Sequence, residues 1–338
     1  MADISQLIRD AVAGRGIEPS ALEDALHTIM QGDAEPVQVA GLLVALATQT
    51  PDARSLAAAA RALRAHRVAI HPNVRPLVDT CGTGGDGANT FNISTAAATV
   101  VAAAGGAVAK HGNRGVSSPV GSADVLQAAG CKLDLGAERA RELLDACGFV
   151  FLFAPAFHPA MAHVAPVRRS LGVRTLFNLL GPLANPALAE FQLLGVYDPS
   201  VTEVMAEALL ELGSKGALVV HCDGLDECGL HAVTRGHRLR DGAIEPVEID
   251  PESVGIARAG VDQLAGAGTA EENAKQLREA LGGDAGPRSD VVALNAACAL
   301  EVAGIAKDLA EGVERARDCM QSGAALRVLE RYAESSSR

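Results

Sequence analysis

The chain has 338 residues, 49% of them hydrophobic and 21% charged, which is ample for a large core in one big domain or two smaller ones. With no Trp and only 3% aromatic residues, that core must be aliphatic and rich in alanine. A formal net charge of −12 argues against nonspecific binding to nucleic acid or to a membrane surface, where basic patches are expected.

Residues 1 to about 70 read as helices. Ile4, Leu7, Ile8 and Val12 give the first an apolar face. Ser20-Ala21-Leu22-Glu23 has the form of a capping box for a second helix reaching about Met30. Pro36 opens a third, and Pro51 stands where a first turn tolerates proline ahead of a fourth over 56–67. Such a bundle offers few catalytic groups and suits domain packing or subunit contact.

From about Leu77 short apolar runs alternate with helical stretches. Strands are expected at 77–78, 107–109, 149–153, 193–196 and 217–220, with helices at 96–104, 123–129, 137–146 and 201–212. This alternation predicts an α/β domain with a mostly parallel central sheet flanked by helices, joined to a small all-helical domain. Residues 231–250 read as a strand-rich excursion turning at Asp241-Gly242; 290–302 and 309–320 read as helices, and Ser335-Ser336-Ser337 as a frayed tail.

Seven scattered cysteines, odd in number and without a CxxC, fit reduced thiols in a cytoplasmic protein better than a disulfide framework or a zinc site. The opening Met1-Ala2-Asp3-Ile4 has no secretory pattern, and no apolar run is long enough for a membrane span.

The stretch from Asp79 to Ser122 carries the chemistry. Gly82, Gly84, Gly85 and Gly87 follow a strand, and Thr90, Asn92, Ser94 and Thr95 precede a helix of small residues. Glycine allows positive φ and close approach to a ligand, and a helix start presents free N–H groups and the positive end of its dipole. Asn92, Ser94 or Thr95 is a candidate cap there. The pattern then repeats, with a strand, the polar loop Lys110-His111-Gly112-Asn113-Arg114-Gly115, then Ser117-Ser118, Gly121 and Ser122 before another helix. Neither loop is a Walker A motif or a good dinucleotide fingerprint. Two facing loops of this kind predict a cradle for a sugar carrying several phosphates. Asp226-Glu227, on a loop after a strand, fits either solvated charge or a magnesium site, because magnesium takes one or two carboxylates plus substrate oxygens.

At these residues the chain resembles anthranilate phosphoribosyltransferase of tryptophan biosynthesis. The likeness rests on G-T-G-G-D-G-x-x-T-x-N-x-S-T from Gly82, on K-H-G-N-R-x-x-S-S from Lys110, and on His163 to Arg169, Phe177 to Pro186 and Asp223 to Glu227. It covers nearly the whole chain in one order. The pyrimidine nucleoside phosphorylases are more distant relatives of the same fold. The resemblance implies a helical domain over 1–72 completed by about 166–186, an α/β domain over 73–165 and 187–338, and a site in the cleft between them.

It further implies that phosphoribosyl pyrophosphate is held by Gly82, Gly85, Asp86, Thr90, Asn92, Ile93, Ser94, Thr95, Lys110, His111, Gly112, Asn113, Arg114, Gly115, Val116, Ser117, Ser118 and Ser122. Anthranilate falls to Gly82, Asn113 and Arg168, where a guanidinium suits its carboxylate. Magnesium falls to Ser94, Asp226 and Glu227. His111 is expected near the acceptor amine and His158 near an entrance. No catalytic dyad is visible and none is required, because the acceptor amine is hardly protonated at neutral pH. A homodimer through the helical domain is implied as well, with no nucleic-acid or membrane partner. The competing readings are a nucleoside phosphorylase and a noncatalytic nucleic-acid-binding relative. The first has no need of an acidic magnesium pair, and the second is expected to be basic.

Overall fold

Small side chains set how closely the elements of this chain approach one another. The computed structural model describes residues 3–115 and 119–338. Four helices come first: α1 (Ile4–Val12), α2 (Pro19–Gln31), α3 (Pro36–Ala47) and α4 (Ala53–Ala65). The expected helices are present, but their starts differ in detail. α1 buries Ile4, Leu7 and Ala11, while Val12 is 75% exposed. α2 begins at Pro19 with Glu18 as its cap, so Ser20 lies inside the first turn and makes no capping box. Pro51 lies outside α4, whose cap is Asp52, accepting from the Ser55 N–H at 2.9 Å.

The remainder alternates: β1 (Leu77–Gly82), α5 (Ile93–Ala103), β2 (Ala107–Gly112), α6 (Ser122–Ala128), α7 (Ala137–Cys147), β3 (Phe149–Phe153), α8 (Ala154–Phe157), α9 (Ala165–Leu171), α10 (Phe177–Leu183), β4 (Phe191–Gly195), α11 (Thr202–Glu211) and β5 (Gly216–His221). A hairpin, β6 (Thr234–Arg240) and β7 (Ala243–Ile249), turns through Asp241 and Gly242, both at positive φ. Helices α12 (Ala270–Leu281), α13 (Pro287–Val302), α14 (Leu309–Gln321) and α15 (Ala324–Ser337) close the chain. The expected frayed tail is instead the last turn of α15. Ser336 is buried there and accepts the Lys132 N–H at 2.9 Å.

The strands form one seven-stranded sheet in the order β3-β2-β1-β4-β5-β6-β7, parallel through β5 and antiparallel in the hairpin. Because successive strand residues face opposite sides, the sheet separates two cores. Leu193, Leu218 and Val220 pack with α5, α13 and the C-terminal helices. Leu194, Ala217 and Val219 pack with α11, the N-terminal helices and Phe177, Leu180 and Leu183 of α10. On the first side, α5 buries Ala96, Ala97, Ala98, Val100 and Val101 between the sheet and helices that include α13 and α15, and Gly312 of α14 lies so close to α13 that a Cβ would fall 2.9 Å from that of Ala297.

Side chains also tie the α10 segment to both halves. Arg64 of α4 donates to the Leu183 carbonyl at 2.7 Å. Asn185 donates to Asp79 Oδ2 of β1 and to the Ala109 carbonyl of β2, each at 2.7 Å.

Candidate active site

The strand order determines where a ligand sits. From β1 the chain builds outward through β2 and β3, then returns to the other side of β1 with β4. A crevice opens beyond the carboxyl ends of the strands at such a reversal. The loop after β1 lies at this point, the loop after β2 on one side of it and the loop after β5 on the other.

The glycine loop after β1 has Gly84, Gly85 and Gly87 at φ of +68°, +82° and +78°. Its anchor is Asp226, whose Oδ2 accepts the Gly84 N–H at 2.7 Å, while the Asp226 N–H donates to Asp86 Oδ2 at 3.2 Å. Asp86 also accepts the Ala88 N–H at 3.0 Å, so this carboxylate orders the loop. The approach requires two glycines. A Cβ on Gly82 would lie 2.4 Å from Asp226 Oδ2, and one on Gly195 would lie 1.5 Å from the Asp226 carbonyl oxygen.

At the start of α5 the expected side-chain cap is not made. Asn92 occupies the cap position without capping, and Asn92 Oδ1 and Thr95 Oγ1 are buried without a partner. Polar atoms left in this way at a helix start are poised for a ligand. Ser94 accepts from Lys110 Nζ at 3.2 Å, and its N–H donates to Glu227 Oε1 at 3.2 Å. Lys110, only 2% exposed, also donates to the Thr80 carbonyl.

Asp226 and Glu227 sit on a rigid turn. Asp223 and Gly224 take positive φ, Cys222 and Leu225 exchange backbone hydrogen bonds, and the Cys228 N–H donates to Asn295 Oδ1 at 3.0 Å. Burial, then the nearby Asp86 and Glu227, push the Asp226 carboxyl well above its ordinary value. Burial pushes Glu227 up to about 7, against the opposing pull of Lys110. Crowded carboxylates of this kind are under-neutralised and suit a cation. Among the described residues no three His, Cys, Asp or Glu side chains converge on one metal position. A hard cation that completes its shell with substrate oxygens meets that condition, and Ser94, Asp226 and Glu227 supply the oxygen donors it prefers.

The loop after β2 is ordered by Asp124, which the motif reading passed over. Its carboxylate accepts the Gly115 and Gly121 N–H groups at 2.9 Å and pairs with Arg114 at 2.7 Å. Burial raises the Asp124 carboxyl, but these backbone donors and Arg114 outweigh it and hold the group below its usual range. An acid three residues after the cap glycine is the signal that would have found it. Arg114 is therefore already paired, and Asn113 is exposed at the mouth of the loop. Ser122 donates to the Asn113 carbonyl at 3.2 Å, and Gly112 leaves room for it. Val116, Ser117 and Ser118 lie outside the described residues. Thr90 bridges to Ala265, and Ile93 is buried beneath the loop.

His111 Nδ1 donates to the Gly181 carbonyl at 3.0 Å, its Nε2 is buried without a partner, and its ring lies 5.1 Å from that of His158. Burial, with His158 adding to it, pushes His111 down to about 3, and burial pushes His158 down to about 4. Both rings are neutral at pH 7. Arg168, on α9, stands half-buried with its guanidinium 5.3 Å from the Phe177 ring centroid. Arg174, also passed over, reaches from the α9–α10 connection to the Gly85 carbonyl.

Comparison with known proteins matches residues 5–67 to the helical bundle domain of a glycosyl transferase family and residues 74–326 to its a/b domain. Among curated relatives, the anthranilate phosphoribosyltransferase of Symbiobacterium thermophilum is 50% identical over 333 residues, 98% of this chain and 97% of its own. That of Desulfatibacillum aliphaticivorans is 47% identical over 96% of both chains. The crystal structure of anthranilate phosphoribosyltransferase from Thermus thermophilus superposes with a TM-score of 0.93 at 45% identity, covering 98% of this chain and 99% of that one. The Saccharomyces cerevisiae enzyme in complex with PRPP and Mg gives a TM-score of 0.90 at 29% identity, over 99% and 98%. Over nearly its whole length, then, the chain belongs to the anthranilate phosphoribosyltransferases of this glycosyl transferase family.

Proposed function

We propose that this chain transfers the 5-phosphoribosyl group of phosphoribosyl pyrophosphate to the amine of anthranilate, releasing pyrophosphate, as a step of tryptophan biosynthesis. The observation that carries the reading is the junction of the glycine loop, the α5 start and the Asp226-Glu227 turn at the reversal of strand order, in a chain 50% identical to such an enzyme.

The donor occupies the cradle of Gly82, Gly85, Asp86, Thr90, Asn92, Ile93, Ser94 and Thr95, faced by Lys110 to Gly115 and by Ser122. Glycine-loop N–H groups other than those of Gly84 and Ala88, which Asp226 and Asp86 hold, meet the phosphates together with the unpartnered Thr95 hydroxyl. Ser94, Asp226 and Glu227 would hold magnesium, and the yeast relative's complex with PRPP and Mg supports the use of that ion. When bound, magnesium neutralises charge on the leaving pyrophosphate. Lys110, fixed by Thr80 and Ser94, keeps a cation beneath the cradle.

Arg168 and Asn113 hold the acceptor beside Gly82, and a yeast relative bound to 4-fluoroanthranilate supports an acceptor of this kind. The amine's lone pair forms a bond to the anomeric carbon, the bond from that carbon to pyrophosphate oxygen breaks with its electron pair, and the proton lost by the amine passes to the departing pyrophosphate or to water. An aniline nitrogen is already free base at neutral pH, so positioning and fixed dipoles do most of the work. Neutral His111 stands near this amine, with its Nε2 as an acceptor.

The domain division at 1–72 with 166–186, against 73–165 with 187–338, belongs to the same proposal. Contacts of α9 with α3 and of α10 with α4 support it. A homodimer through the helical bundle is part of the proposal too, and the exposure of Val12 and Val37, about three-quarters each, supports it. Among the described residues no helix is long and apolar enough to cross a membrane. A cytoplasmic location belongs to the same proposal.

The test is anthranilate fluorescence with purified protein, phosphoribosyl pyrophosphate and magnesium, repeated with EDTA and with Asp226→Ala. Magnesium-dependent loss of fluorescence that disappears in the variant is expected. Untouched anthranilate with a donor that still binds would overturn the acceptor. Turnover of a nucleoside with phosphate instead would support a phosphorylase.

A further inference from the structure

Arg174 lies in the connection between α9 and α10, the two helices that carry Arg168 and the Gly181 carbonyl. Its side chain is exposed, yet it is held at two points. The guanidinium stacks 3.8 Å from the centroid of the Tyr197 ring and donates to the Gly85 carbonyl at 2.5 Å. Tyr197 in turn is fixed to the same loop, because its N–H donates to Thr83 Oγ1 at 3.1 Å, and the Thr83 N–H donates to the Gly195 carbonyl at 2.9 Å. Asp198, the next residue, feels the Arg174 charge as a minor contribution to a carboxyl lowered mainly by its hydrogen bonds to Ser200.

A loop with glycines at 82, 84, 85 and 87 has little conformational preference of its own. Its shape depends on what grips it. Asp226 grips Gly84 and Asp86 from the β5 side. Arg174 grips Gly85 at a second point, and does so from the connection that follows the Arg168 helix. A planar guanidinium can stack and donate in one geometry, which an ammonium cannot do.

We propose that Arg174 is a positioning residue for the transfer reaction: stacked on Tyr197, it holds the Gly85 carbonyl so that the glycine loop keeps its donor-binding shape, and it links that shape to the acceptor wall. The role rests on the donor assignment of the glycine loop given above. Arg174 touches neither reacting atom; it acts through the loop.

The experiment compares wild type with Arg174→Ala, Arg174→Lys, Tyr197→Ala and the double variant Arg174→Ala/Tyr197→Ala, measuring kcat, KM for each substrate and Tm. In Arg174→Ala, KM for phosphoribosyl pyrophosphate rises about tenfold, KM for anthranilate rises less than about threefold, and Tm is unchanged within about 1 °C, as expected for an exposed side chain. Arg174→Lys, which keeps a donor but loses the stack, recovers part of the loss. Tyr197→Ala reproduces it, and the double variant is no worse than either single one, because the two side chains act as a unit. A donor KM within about twofold of wild type, or equal rises in both KM values, would overturn the role. Wild-type protein that leaves anthranilate unconsumed would sink the transferase reading itself, and Arg174 with it.

Discussion

The Gly84 N–H points at Asp226 Oδ2 across 2.7 Å, and that bond joins the glycine loop after β1 to the acidic turn after β5. Around Asp226 the junction is tight at Gly82 and Gly195. Gly82→Ala places a methyl 2.4 Å from the same oxygen and moves the carboxylate or the strand end. We expect kcat/KM to fall by about 30-fold, equivalent to ~2 kcal/mol, with the protein still folded by circular dichroism. Activity within twofold of wild type would show that the carboxylate's position is not critical.

Asp226 is under electrostatic stress in the metal-free protein, because burial, Asp86 and Glu227 all disfavour its charge. Asp226→Asn removes that charge and keeps an oxygen for Gly84. Metal-free at pH 8, the variant should melt about 2 °C higher than wild type. With magnesium it should lose roughly 100-fold in kcat/KM. A lower Tm combined with intact activity would contradict both halves.

His111 is buried neutral, and its pKa of about 3 is set by burial and then by His158. An unfolded histidine takes up its proton near pH 6.5, so between that value and about 3 the unfolded chain binds more protons than the folded one. Stability is therefore complete above pH 6.5 and declines as the pH falls. His111→Gln should flatten the Tm profile between pH 6.5 and 4.5, recovering on the order of 2 kcal/mol at the acid end relative to its own value at pH 8. Parallel profiles would place the acid sensitivity elsewhere.

The polar C-terminus is structural. Arg139 donates to the Ser335 carbonyl at 2.7 Å, and Lys132 N–H to Ser336 Oγ at 2.9 Å. Removing residues 335–338 should cost about 1–2 kcal/mol in a denaturant titration and leave both KM values unchanged. An unaltered midpoint would return the segment to the status of a loose tail.

That segment also marks where local reading stops. Three serines at a chain end look like solvent-exposed residues, and only the burial of Leu329, Tyr332 and Ser336 along one face of α15 makes them helix. The strands were legible because apolar runs at 77–78, 149–153 and 217–220 have no other fate in an α/β chain. The glycine loops were legible because so many glycines in a row after a strand need a backbone reason. Arg174 was not. Its partner is a backbone carbonyl 89 residues away, and nothing in Gly172-Val173-Arg174-Thr175 announces that distance. Asn92, Ser94 and Thr95 were legible as polar groups at a helix start but not as groups left uncapped, since whether a cap closes depends on backbone geometry at Asn92.

The close fit of Gly312 against Ala297, with the row of alanines on α5, makes mutational damage directional. Truncation scanning, the usual way to map a core, has almost nothing to remove at these small-residue positions. Enlargement does the harm, because each added methyl must displace a neighbouring backbone rather than a pliable side chain. A library biased toward small residues would pass over these positions as tolerant, whereas one admitting valine or leucine would find them unforgiving.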